Sequence, residues 1–72
     1  MSEKYDEKET AVVTLLVTRL FKKAQKMGFS YRQLAAVTKA KSHVTIWRWA
    51  KGRNLPSLHH IYHIKAFLGY IK

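Results

Sequence analysis

The sequence predicts an all-α domain of four helices, and three observations carry that prediction. Apolar residues recur every third or fourth position along most of the chain, the period of a helix with one buried face. A serine or aspartate stands at the head of each apolar run, where its side-chain oxygen can accept a hydrogen bond from the free N–H groups of a first turn. Gly28, Gly52 and Gly69 follow such runs, where a left-handed residue ends a helix, and Pro56 falls in a connection.

The first helix has Asp6 and Glu9 as a capping pair, with acids in the opening turn favoured by the positive end of the helix dipole. Val12, Leu16, Leu20 and Ala24 form one row of its apolar face, Val13, Val17 and Phe21 form a second, and Gly28 is the stop. The β-branched run Val12, Val13, Thr14, Val17 and Thr18 leaves an alternative open, a strand or arm ahead of a shorter helix beginning near Leu15. In the second helix Ser30 is the cap, Gln33 reaches back to it, and Phe29 before the cap is placed to pack on Leu34. This helix carries Leu34, Ala35 and Val37 inward and ends around Thr38, with Lys39-Ala40-Lys41 as a turn. Ser42 then caps a third helix running to Lys51, with Gly52 beyond it. After Arg53-Asn54-Leu55-Pro56, Ser57 is expected to cap a fourth helix with the stripe Leu58, Ile61, Ile64 and Leu68 before Gly69.

Seventy-two residues make one domain, and a chain of this size buries only roughly 60% of the surface that its unfolded form exposes. Without cysteine there is neither a disulfide framework nor a thiolate metal cage. All four acids, Glu3, Asp6, Glu7 and Glu9, lie in the first nine residues, so residues 1–9 read as an acidic segment leading into the first helix. Residues 10–72 contain twelve Lys or Arg and no acid, and the whole chain carries +10. A body without carboxylates lacks the groups of metal-assisted and glycosidase chemistry, and its field attracts polyanions. No nucleophile and base stand at a telling spacing, so an enzyme is not expected. Neither a secretory signal nor a membrane span is expected, because the apolar stretch from Ala11 to Val17 follows acids and soon meets Arg19. The expected location is the cytoplasm, on nucleoid or viral DNA.

Two short helices across a brief turn form a helix-turn-helix candidate. With Ile46 at zero and about 100° per residue, Trp49 and Ala50 lie within about 60° of it and define the buried side of the third helix. Val44, Trp47, Arg48 and Lys51 fall on the opposite side, flanked by His43 and Thr45. A solvated face seldom carries Val and Trp, whereas a face in a major groove uses Arg on guanine, Val on a thymine methyl and Lys on phosphate. The plainer alternative packs Trp47 against a neighbouring helix and Val44 against the second. Arg32, Lys39, Lys41, Lys51 and Arg53 border the two helices and the following loop and are phosphate candidates. Lys22, Lys23 and Lys26 are read as a solvated face that contributes long-range attraction. His59 and His63 have a spacing that can hold zinc, with His60 nearby, but no Cys, Asp or Glu in the body completes a site, so no metal is expected.

Leu34-Ala35, Ser42, Thr45-Ile46, Arg48-Trp49, Gly52, Pro56-Ser57-Leu58 and Leu68-Gly69, in that order, resemble the Cro/CI-type helix-turn-helix family, the lambda-repressor-like domains of phage and prokaryotic regulators. The likeness runs from about Val17 to Tyr70. It implies a third helix seated in the major groove, read out by Ser42, His43, Val44, Trp47 and Arg48, and a dimer on a pseudo-palindromic site. It adds Tyr31 and Thr45 to the phosphate candidates, Tyr31 standing where the family often has a Gln at the head of its second helix. The chain departs from the pattern in one extra residue between Leu34-Ala35 and Ile46, in Lys39-Ala40-Lys41 where a Gly is typical, and in Ala50 where a Glu is common.

The expected function is sequence-specific regulation of transcription on double-stranded DNA, with repression the expected output because nothing follows the domain to contact polymerase. An architectural or recombination accessory factor of excisionase-like kind is one alternative, and a protein-interaction module such as an antitoxin is another. No cofactor and no small-molecule ligand are expected. A homodimer is expected, with Tyr62, Phe67, Tyr70 and Ile71 as the preferred contact and the first helix as the alternative.

Overall fold

The structure, a computed structural model, describes residues 5–71 and has four helices and no strand among them. They are α1 (Glu7–Met27), α2 (Tyr31–Thr38), α3 (His43–Ala50) and α4 (Leu58–Leu68).

The β-branched run lies inside α1, so the choice between strand and helix falls to helix. Asp6 accepts a hydrogen bond from the Glu9 N–H at 2.7 Å while Glu9 Oε1 accepts one from the Asp6 N–H at 3.1 Å, closing a capping box. Thr18 returns its hydroxyl to the Thr14 carbonyl at 3.0 Å, one turn back, which occupies the polar atom of a residue that otherwise favours strands. Because α1 starts at Glu7, the acids Glu7 and Glu9 stand in its first turn and Asp6 caps it, while the start of the expected acidic segment, with Glu3, lies outside the described residues. Gly28 ends the helix at φ 73°.

α2 repeats the device, with Gln33 N–H on Ser30 Oγ at 3.2 Å and Ser30 N–H on Gln33 Oε1 at 2.8 Å. Thr38 closes it as a buried polar residue whose hydroxyl donates to the Leu34 carbonyl at 2.8 Å. Phe29 extends beyond its expected role at the head of α2, since its ring meets Phe67 at 5.6 Å and ties that head to the end of α4.

The core takes one fully buried aliphatic side chain from each helix, Leu20, Leu34, Ile46 and Ile64. Val13, Leu16, Val17, Ala24, Ala35, Trp49 and Ile61 surround them. α1 packs on α4, and α2 packs on both α3 and α4. Burying an aliphatic side chain of this size stabilises by roughly 1.5–3 kcal/mol, so each of the four contributes on that scale.

Three residues expected inside are outside. Val12 and Leu58 are 56% and 63% exposed, and Ala50 is exposed as well. Val12 lies about 80° around α1 from the fully buried Leu20, Leu58 is the first helical residue of α4, and Ala50 borders an open groove between α1 and α3 of about 890 Å³. Ser57 heads α4 without a side-chain cap, because its hydroxyl lies 3.0 Å from His60 Nδ1 instead.

Candidate nucleic-acid interface

The connection from α2 to α3 is shaped by an unusual backbone. Lys39 takes φ 62°, the left-handed conformation that glycine normally supplies, and this lets the N–H groups of Lys39 and Ala40 both reach the Ala35 carbonyl. The chain thus makes the turn without glycine, and the Lys39 and Lys41 side chains are exposed on it. Ser42 then caps α3, its Oγ accepting from the Val44 N–H at 3.3 Å, which leaves the Ser42 hydroxyl proton free to donate outward.

α3 divides sharply into two faces. Ile46 is fully buried and Trp49 is 4% exposed with its ring against His60 at 5.2 Å, whereas Val44 and Trp47 are 42% and 39% exposed. His43, Arg48 and Lys51 are exposed, the last as the residue capping the helix end. Apolar, aromatic and cationic groups therefore share one outward surface, and Trp47 and Val44 are not absorbed by neighbouring helices.

The end of α3 brings Arg53 back to that surface. Gly52 adopts φ 71°, so the Arg53 N–H returns to the Arg48 carbonyl at 2.9 Å and the Arg53 guanidinium sits 5.4 Å from the centre of the Trp47 ring. A cation over an indole face is held by the ring quadrupole and loses little hydration, so this guanidinium is pre-positioned and still able to donate.

The remaining candidates lie at the two ends of α2 and on α3 itself. Tyr31 and Arg32 are exposed at the head of α2, with Tyr31 edge-on to Phe21 at 5.9 Å, and Lys39 and Lys41 stand at its other end. Thr45 is half-buried and turns away from the outer face into a cleft with Arg53, Asn54 and Pro56. That position suits a hydroxyl supporting the α3–α4 loop better than a direct contact. Two residues of this cleft escaped the sequence reading. Tyr5 donates its hydroxyl to the Pro56 carbonyl at 2.7 Å and pins the loop, and Asn54 is exposed beside Arg53. An aromatic residue just before the Asp6 cap is the local signal for Tyr5, since that position commonly staples a helix entry.

The His59 and His63 rings approach to 4.9 Å, and among the described residues no three His, Cys, Asp or Glu side chains are grouped to hold a metal ion. Nor is any helix among them long and apolar enough to cross a membrane. Compared with protein-family models, curated proteins and solved structures, the chain matches none.

Proposed function

We propose that the chain is a sequence-specific duplex-DNA-binding regulator of the lambda-repressor-like helix-turn-helix type, acting as a repressor on nucleoid or viral DNA in the cytoplasm. The observation that carries this reading is the outward face of α3, where half-exposed Val44 and Trp47 share a surface with Arg48, Lys51 and Arg53 in a body that has no acid after residue 9. A helix with such a face suits the major groove, which admits one helix and offers acceptors to cations and methyl groups to aliphatic side chains.

In this mechanism Ser42 and His43 enter the groove at the helix head, Arg48 grips guanine O6 and N7 with two N–H groups, and Val44 meets a thymine methyl. Trp47 has two jobs, lying along the groove wall and holding Arg53 on its ring. Arg53 and Lys51 neutralise phosphates beyond the helix end, and Tyr31, Arg32, Lys39 and Lys41 do so at the two ends of α2. A single short reading helix supplies modest discrimination, so two copies act on half-sites about one DNA turn apart.

Footprinting of the full chain on mixed genomic DNA tests this. A discrete protected site supports the regulator, phased protection over long arrays replaces it with the accessory factor, and absence of protection at low salt replaces it with the protein-interaction module.

A further inference from the structure

α4 turns a pair of histidines outward on a face that carries no Lys or Arg. At about 100° per residue, the direction opposite the midpoint of the buried Ile61 and Ile64 has His59 and Ala66 within about 10° and Tyr62 and His63 within about 50°. Lys65, the only Lys or Arg of α4, lies about 110° from that direction. In a chain of net charge +10, this helical face is one that a cation can approach without meeting another on it.

His59 is exposed and His63 half-buried, and their ring centres stand 4.9 Å apart with the planes at 78°. Two imidazoles sharing one tetrahedral zinc, each through a nitrogen at about 2.0–2.1 Å, have ring centres about 5 Å apart. The pair therefore has the spacing of two ligands of one ion, on the one-turn separation by which helices present histidines to zinc. His60 is engaged elsewhere, with its Nδ1 3.0 Å from Ser57 Oγ and its ring against Trp49 at 5.2 Å. Among the described residues, His59 and His63 make ring contacts and no hydrogen bond, so neither ring nitrogen is claimed by a protein partner.

One chain stops at two donors. No group of three His, Cys, Asp or Glu forms among the described residues, and the sequence has neither a cysteine nor an acid after residue 9. A structural zinc site takes four ligands, and a second copy of the same pair supplies the two that are lacking. A two-fold axis through the ion makes the two halves equivalent, as in a closed dimer. Tyr62, 54% exposed, lies on this face and is the member of the expected carboxyl-terminal contact that is still open. Phe67 already meets Phe29, and the Tyr70 hydroxyl already accepts from Arg19 at 2.6 Å.

We propose that His59 and His63 of two copies of this chain hold one zinc ion in a four-histidine site, which fastens α4 against α4. The ligands are neutral imidazoles, so the site needs no acid to form. Repulsion between two basic chains opposes it, but charges more than about 8 Å apart are largely screened at physiological salt, and none stands on the outer face itself. The site goes beyond the DNA-binding reading and does not depend on it. Joined to that reading, the ion is a signal that pairs two reading helices.

The test uses the untagged chain without DNA, at about 0.5 M salt, where repulsion between copies is screened. Zinc chloride is the probe and magnesium chloride the control, because magnesium prefers oxygen ligands. Calorimetric titration is expected to saturate at about one zinc per two chains. Sedimentation is expected to show association strengthened at least about tenfold by zinc, unaffected by magnesium and reversed by a chelator. His59→Ala and His63→Ala should each lose at least about tenfold in zinc affinity and the association with it, whereas His60→Gln should keep both. Melting curves establish that each variant folds. One zinc per chain without association, a zinc response that survives loss of either outer histidine or is lost in a folded His60→Gln chain, or no response at about 100 μM zinc would overturn the proposal. Because no DNA enters, none of these results bears on the footprint, and a failed footprint leaves the zinc site standing.

Discussion

Lys39 is the residue at which this backbone departs furthest from what its side chain prefers. A non-glycine residue in the left-handed region is disfavoured by roughly 1–2 kcal/mol, and glycine returns part of that gain through the entropy of the unfolded chain. Lys39→Gly should therefore raise stability by about 0.5–1 kcal/mol in chemical denaturation, while lowering the salt dependence of DNA binding by one phosphate contact. A stability loss would show that the Lys39 side chain supports the turn. Gly52 has the opposite expectation. At φ 71° with open space around its α-carbon, Gly52→Ala should lose about 1 kcal/mol purely from backbone strain and loosen Arg53 from Trp47. Lys39 also marks a limit of sequence reading: the departure from glycine was visible in Lys39-Ala40-Lys41, but which residue would absorb the left-handed conformation was not.

At the scale of elements, the two faces of α3 make separable predictions. Trp49→Ala should lower stability by about 3–5 kcal/mol and abolish binding through unfolding, because its ring is buried against the core. Lys51→Ala and Arg53→Ala should leave the melting curve in place, weaken every DNA sequence alike, and each reduce the salt slope by about one. An altered base preference in either variant would contradict the phosphate assignment. Helix limits were legible because their signals are local, as in the capping boxes of Asp6 with Glu9 and Ser30 with Gln33. The outward placement of Val12, Ala50 and Leu58 was not, since a period identifies which residues share a face and says nothing of how many neighbouring helices arrive to cover it. The tie from Tyr5 to Pro56 joins residues 51 apart and depends on how α1 crosses the start of α4, which no local pattern records. Thr45 illustrates both sides: its place beside the reading face followed from helical spacing, its turn toward the α3–α4 loop only from packing.

Over the whole molecule, charge is segregated as well as large. The acids occupy the first turn of α1 and the segment before it, and the remaining body presents cations alone to any polyanion. If a dimer neutralises about six to eight phosphates, log K should fall against log salt with a slope of roughly −5 to −7. Double-stranded RNA of the same length should compete poorly, because its major groove does not admit a helix. These two properties test for groove binding, and a non-specific cation would share only the first. The central claim, that α3 reads bases with its outward face, is tested most directly by selecting bound sites from a random duplex pool and measuring Arg48→Ala on the selected site and its single-base variants. The expected result is an unchanged melting curve and a loss of roughly 1–3 kcal/mol of discrimination confined to one base pair in each half-site. An Arg48→Ala chain that keeps the full preference at every position, or that weakens all sites equally, would contradict it.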